Sequence, residues 1–339
     1  MKSGRNLISS LLPGLAMTVL ILDAKTALTG AQSGLELCIR MVIPSLFPFI
    51  FLSILVTGSL MGQCIPLLQP LGRLCRIPSG TEGLLAVGLV GGYPVGAQAV
   101  TQAYREGSLS REDAHRLLGF CSNAGPSFIF GMLGGIFSDP LPLWILWGIH
   151  ILSAVLTGIL LPGGSESQVR LSESASPALP GALERSLKVM GSICGWVILF
   201  RVLLSFLQRW FLWALPQEAG ILLSGLLELT NGCCRLQLVD TEGLRFLLSS
   251  VLLGFGGICV GLQTVSVTKG LGTGLYFPGK ILQCALSFLL AYPVQLFLFP
   301  VWERFSCPSA ALCFCLVPVA GVVLKILKIP GSILARQGV

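Results

Sequence analysis

Charged side chains are absent from 6–22, 41–72, 83–104, 117–138, 140–165, 246–268, 281–302 and 305–324. A helix needs roughly 20 mostly apolar residues to cross a bilayer core of about 30 Å. Eight runs of adequate or near-adequate length therefore follow one another, and 187–208, with Arg201 inside it, adds a further candidate. Composition agrees, because charged residues make up only 11% of the 339, against about 25% in an ordinary soluble domain. So few charges could not cover the surface of a soluble fold this large. The pattern excludes a cytosolic enzyme, a nucleic-acid binder and a disordered chain. It predicts an all-α polytopic membrane protein of about eight segments, with the lipid bilayer as its first partner.

The net charge is +7, but the Lys and Arg residues are dispersed at segment ends and form no patch for nucleic acid. Such cations read as topology, since cationic loops stay cytoplasmic. The 12 cysteines include no CxxC pair, and only His115 and His150 could join them as nitrogen ligands. Neither a metal nor a cofactor is expected. Lys2 and Arg5 precede an apolar run with no A-x-A cleavage site after it. An uncleaved first helix with a cytoplasmic N-terminus follows.

The one long polar stretch, 163–186, is rich in Ser, Gly and Pro and reads as a linker between two membrane halves. The organisation is then an N-terminal helix and loop (1–33), a first repeat (34–162), the linker (163–186) and a second repeat (187–339). A short internal match supports duplication. Gly91-Gly92-Tyr93-Pro94-Val95-Gly96-Ala97-Gln98 shares two Gly, Val, Gly and Gln with Gly256-Gly257-Ile258-Cys259-Val260-Gly261-Leu262-Gln263. Each half also opens with Leu-Glu and a cation four residues after that Glu: Glu36 with Arg40, and Glu184 with Lys188.

Pro94 would leave a helical carbonyl unpaired, which lipid tolerates only beside protein or a water-filled cavity. Asn123-Ala124-Gly125-Pro126 poses the same problem. Two such clusters with polar Gln98, Ser122 and Asn123 beside them predict discontinuous helices converging near the membrane midplane. Cations flank 83–104 on both sides: Arg73 and Arg76 before it, Arg105, Arg111 and Arg116 after it. Both flanks stay cytoplasmic if 83–104 is a re-entrant hairpin turning at Gly-Tyr-Pro. The long helices opening the two halves then run in opposite directions, which makes the repeats inverted.

Arg201, within an apolar run, is either a functional intramembrane charge or a snorkelling one near Arg209. Glu228 and Asn231 end a moderately apolar segment, where Glu228 could pair with Arg201 or Lys280. Lys280 follows Pro278-Gly279 and could equally anchor a helix at the interface. No Walker loop, G-x-S-x-G or H-E-x-x-H motif is present. The chain is therefore read as a non-enzyme.

The run Ile43-Pro44-Ser45-Leu46-Phe47-Pro48-Phe49, then Gly92-Tyr93-Pro94-Val95-Gly96-Ala97 and Ser122-Asn123-Ala124-Gly125-Pro126 resembles YlbJ-type sporulation integral membrane proteins. These are grouped with nucleoside-recognition, or gate, domains. Leu227-Glu228-Leu229-Thr230-Asn231-Gly232 and Gly254–Gln263 are similar to that family's later motifs. The resemblance implies an inner-membrane protein of a spore-forming bacterium, in the membrane around the forespore, that moves the small organic anion dipicolinate. It also leaves room for a homo-oligomer or sporulation membrane partners. Where such proteins often carry His in the second Gly-rich motif, this chain has none, which puts proton coupling in doubt here if that His serves it.

Together these readings nominate a substrate site. Gly92, Gly96, Gly257 and Gly261 would let backbone approach the ligand, with Tyr93, Pro94, Gly125 and Pro126 shaping the breaks. Gln98, Asn123 and Gln263 would orient the ligand, Arg201 or Lys280 would complement its charge, and Glu228 and Asn231 would complete the site. A nucleoside or other small-metabolite transporter, and a non-transporting sporulation scaffold, are the alternatives.

Overall fold

The computed structural model describes residues 2–60, 65–163 and 178–299, and every regular element among them is helical. The expected segment 305–324 and residues 164–177 of the expected linker lie outside the described residues. Helix α1 is Lys2–Leu22 and α2 is Ala24–Leu37. A π-turn at Cys38–Val42 joins α2 to α3, Ile43–Leu60, so residues 24–56 form one candidate span. Asp23 caps α2 by accepting from Thr26 N at 3.2 Å. Residues 24–33 are thus helix, not the loop expected from sequence.

Next come five short helices: α4 (Gln69–Leu74), α5 (Glu82–Val90), α6 (Val95–Arg105), α7 (Arg111–Leu118) and α8 (Pro126–Leu133). Helix α9, Leu141–Leu160, is long again, and so is α10, Leu179–Trp210. The end of the expected linker is therefore helical, with Pro180 in its first turn and a Glu184–Lys188 pair at 2.6 Å. The matching pair of the first half, Glu36–Arg40, closes at 3.0 Å. Helices α11 (Gln217–Leu227), α12 (Leu229–Arg235), α13 (Glu242–Phe255), α14 (Ile258–Val267) and α15 (Tyr276–Leu298) complete the described chain.

Among the described residues five segments, not eight, are long and apolar enough to cross a membrane: 24–56, α9, α10, α13 with α14, and α15. Backbone breakers explain the difference. The run 83–104 is split into α5 and α6, which at 1.5 Å per residue are about 14 and 17 Å long, each about half a bilayer core. They fold back on each other, since a Cβ on Gly96 would lie 3.1 Å from Gly88 Cα. The run 117–138 is likewise split into α7 and α8 by an irregular stretch at 119–125.

Close helix crossings rest on small residues. Gly30 and Gly34 set α2 against α10, where added Cβ atoms would stand 2.9 Å from Val202 Cα and Ile198 Cα. This spacing of small residues lets membrane helices approach at the backbone. Ser153 on α9 and Ser287 on α15 meet at 2.9 Å. Arg116, counted from sequence as a loop cation, is buried. It donates to Cys75 O at 2.6 Å and to Gly158 O, while Arg76 donates to Ile159 O at 2.7 Å. The two guanidinium groups close the C-terminal end of α9, where unpaired helical carbonyls favour cations. Burial holds Arg116 below the ordinary guanidinium pKa, with Arg76 adding to the effect; a guanidinium keeps its proton regardless.

Candidate functional site

Four irregular segments converge at the centre: the α5–α6 tip at 91–94, the α7–α8 break at 119–125, the α11–α12 tip at Glu228, and the α13–α14 break at Gly256-Gly257. The last two glycines adopt φ of 81° and 83°, a region closed to most side chains. Their contacts show how tightly the pieces meet. A Cβ on Gly125 would lie 2.9 Å from Val90 O, one on Gly256 would lie 2.7 Å from Tyr93 Oη, and one on Gly257 would lie 3.1 Å from Leu229 N. The first tip thus sits between both breaks, and the second tip sits on the second break. The Tyr93–Pro94 bond is cis.

The eight-residue match read from sequence pairs elements of different kinds. Gly91–Gln98 is the tip and second arm of a hairpin, whereas Gly256–Gln263 is a break inside a span.

Asn123, fully buried, holds the first tip to its surroundings. Its Nδ2 donates to Gly88 O at 2.9 Å and Phe120 O at 2.7 Å. Its Oδ1 accepts from Lys280 Nζ at 3.0 Å and Gln283 Nε2 at 2.9 Å. An amide side chain can donate two hydrogen bonds and accept two, so Asn123 is fully used. It satisfies backbone carbonyls freed where the hairpin and the broken helix depart from helical pairing. Lys280 also donates to Gln283 Oε1 at 2.7 Å, and its ammonium stands 5.3 Å from the centre of the Tyr93 ring. This lysine is 1% exposed, and its partners are two amide oxygens and an aromatic face. On the far side, Ala124 N donates to His150 Nε2 at 3.1 Å, while His150 Nδ1 has no partner among the described residues.

The second tip uses the same device. Glu228 is extended between α11 and α12 and accepts from Thr230 N at 3.0 Å, Asn231 N at 2.7 Å and Asn231 Nδ2 at 2.9 Å. It therefore occupies the amides that open α12. Arg201 donates to Asn231 Oδ1 and, through Nε, to Ser33 Oγ at 2.9 Å. Arg201 faces the protein here and does not snorkel towards Arg209. Neither expected pairing of Glu228 forms as a direct ion pair among the described residues: Asn231 stands between Glu228 and Arg201, and Lys280 belongs to the other cluster.

A partly open cavity lies between the tips. Its polar lining includes Glu228, Thr230, Gln263, Ser127 and Tyr93; Leu46, Ile50 and Val197 supply apolar walls. The cavity volume is about 40 Å³. A single water needs about 10–15 Å³ on that measure, so about three would fit, and a larger solute requires the walls to part.

Of the residues nominated from sequence, Gly92, Tyr93, Gly125, Glu228 and Gln263 line this cavity. Asn123 and Lys280 lie together beside Tyr93, and Arg201 and Asn231 lie together beside Glu228. Pro94 and Pro126 begin α6 and α8. Gly257 seats the second tip, while Gly96 and Gly261 serve packing, against the Cys121 carbonyl and the Phe277 ring. Gln98 is half-buried on α6 and does not line the cavity. Gln283 and Ser33 were missed. Gln283 had a signal, being a lone amide three residues after Lys280 and so on the same helix face. Ser33 had none.

No family model matches the chain, and no solved structure matches it. The chain is 29% identical to the sporulation integral membrane protein YlbJ of Bacillus subtilis (strain 168), over 77% of this chain and 75% of that protein. The similarity runs over about three quarters of both chains, and with five membrane-length helical segments among the described residues it supports an integral membrane protein similar to the YlbJ type.

Proposed function

We propose that this protein is a transporter that moves a small organic anion, dipicolinate during spore formation, across the membrane around the forespore. The observation that carries the reading is the charge balance at the convergence of the breaks. Two cations, Lys280 and Arg201, are held there by amide oxygens of Asn123 and Asn231, against one carboxylate, Glu228. Irregular backbone at membrane depth is itself a mark of solute sites.

The proposal includes an inverted repeat. The order long helix, hairpin, broken helix, long helix occurs twice: 24–60, α5–α6, α7–α8, α9, and then α10, α11–α12, α13–α14, α15. Contacts cross between the halves in matching pairs, α6 with α14 and α12 with α8. A solute between the tips would be released when one hairpin parts from the rest.

A second reading has one observation behind it. Glu228 and Gln263 on the lining suit the hydroxyl and amide groups of a neutral solute such as a nucleoside. Uptake by proteoliposomes holding the purified protein, with labelled dipicolinate and labelled uridine compared, separates the two. Dipicolinate flux lost in Lys280→Met supports the anion reading. Uridine flux alone, retained in that variant, overturns it.

A further inference from the structure

The two tips share a design with one chemical difference. In each, a cation from a long helix donates to an Asn side-chain oxygen, and the nitrogen of the same amide donates back to the irregular segment. At the α11–α12 tip the cation is Arg201, whose guanidinium keeps its proton in any protein environment. At the α5–α6 tip it is Lys280, and lysine is the cation that can give up its proton when enclosed. The groups facing Lys280 bear on this. Tyr93 reaches it from the tip, Cys121 and Asn123 from the first break, His150 from α9, and Tyr276 and Gln283 from its own helix; α13 contributes Leu253 O, which Tyr93 Oη approaches at 3.4 Å. None of these is a carboxylate, so among the described residues no fixed anion holds the ammonium charged.

We propose that Lys280 is a proton-binding site acting as a releasable latch. In its ammonium form it ties the α5–α6 tip, through Asn123 and the Tyr93 ring, to α15 and the α7–α8 break. When the proton passes to water in the cavity that Tyr93 lines, the charge-assisted bond to Asn123 becomes an ordinary amine bond and the cation–π attraction is lost. The first tip then opens, while the second stays fixed by Arg201. The protein therefore has one titratable gate and one permanent one, and the ion that its motion follows is the proton. As a coupling device this rests on the proposed function. As a device for opening the tip it does not.

The test reads the opening and not the flux. Hydrogen–deuterium exchange of the full chain in nanodiscs is followed for peptides covering 88–98 and 225–235, between about pH 6 and about pH 10, where lysines inside proteins titrate. Rates are corrected for the intrinsic pH dependence of amide exchange. Protection of 88–98 in the wild type is expected to fall by about tenfold as pH rises, the loss of one charge-assisted bond and one cation–π contact. Protection of 225–235 should stay flat. Lys280→Arg should hold 88–98 protected at every pH, and Lys280→Met should leave it weakly protected at every pH. Asn123→Asp supplies a second variant without changing Lys280: its carboxylate keeps the ammonium charged and removes the pH dependence, at a uniformly lower protection because Gly88 O and Phe120 O lose their donor. Wild-type protection that is independent of pH, or a pH dependence that survives in both Lys280→Arg and Asn123→Asp, overturns the latch. A pH-dependent tip in a protein that moves neither dipicolinate nor uridine would leave the latch standing and remove the transport reading.

Discussion

Replacing Asn123 with Ala removes a side chain that satisfies four groups at once, and the cost can be worked out group by group. Gly88 O and Phe120 O each lose their Asn123 donor in the protein interior. An orphaned buried polar group costs about 1–3 kcal/mol. Lys280 keeps Gln283 Oε1, and Gln283 Nε2 keeps only a 3.5 Å contact to His150 O. These two losses are partial, so the total is roughly 3–6 kcal/mol. At about 2 °C per kcal/mol for a large chain, the melting temperature should fall by roughly 6–12 °C. The assay is thermal unfolding of the purified protein in one detergent, followed by tryptophan fluorescence. The double variant Asn123→Ala with Lys280→Met sharpens it. Removing the ammonium together with its acceptor should cost less than the sum of the two single changes, because a stranded charge is dearer than an absent one. An Asn123→Ala protein that melts within about 2 °C of the wild type would refute the view of this side chain as a structural hub. It would return Asn123 to the simpler role of a ligand contact.

Gly34→Leu should disrupt the α2–α10 crossing, because even its Cβ would lie 2.9 Å from Ile198 Cα; a loss of about 1–3 kcal/mol in the same melt is expected, while Gly14→Leu, with open space around it, should melt as the wild type does. Gln98→Ala should leave flux nearly unchanged, since that side chain does not line the cavity, and a loss of flux would move the solute path to α6. Arg116→Met should strand the carbonyls of Cys75 and Gly158, costing about 2–5 kcal/mol, seen as a lower melting temperature and earlier proteolysis near 158–163.

The membrane class was legible because it depends only on where charges are missing, a property that no tertiary contact can change. The breaks were legible for a similar reason. Gly92-Tyr93-Pro94 and Asn123-Ala124-Gly125-Pro126 cannot continue a helix wherever they are placed. The number of spans was not, because an uncharged run looks the same whether it crosses once or folds back as α5 does on α6. The Gly-rich match failed in an instructive way. Gly256-Gly257 resembles Gly91-Gly92 since both need freedom at the backbone, yet one supplies a break within a span and the other a hairpin tip. Arg116 and Gln98 follow the same principle. Polarity alone does not say what a side chain serves: Arg116 is spent on helix-end carbonyls, and Gln98 stands off the cavity. Asn123, Lys280, Glu228 and Arg201 were identified as polar groups in apolar runs, but which of them meet is set by the crossing of α15, α10 and the two tips.

Those crossings also decide what can move. The long helices α2, α9, α10, α13 and α15 pack along one another through small residues and hydroxyl pairs, as at Gly30, Gly34, Gly254 and Ser153–Ser287. The tips have no such length of contact and are held by a few hydrogen bonds through one Asn each. Opening a long-helix contact would strip many close-packed atoms at once, each weak but additive. Opening a tip requires only that its latch let go and that Tyr93 swing from Gly256. The wall most easily parted is therefore the one between the cavity and the Lys280 cluster. A cavity that now admits about three waters can grow at that wall without disturbing the frame. Growth on this side also brings a solute in the cavity towards Lys280 and leaves Glu228 in place on the opposite tip. An anion that entered while the latch was open would stand beside the neutral Lys280 amine, and by supplying the carboxylate that the cluster lacks it would favour the return of the proton. Solute binding and retention of the proton on Lys280 would then favour each other, which is the thermodynamic condition for moving the two together.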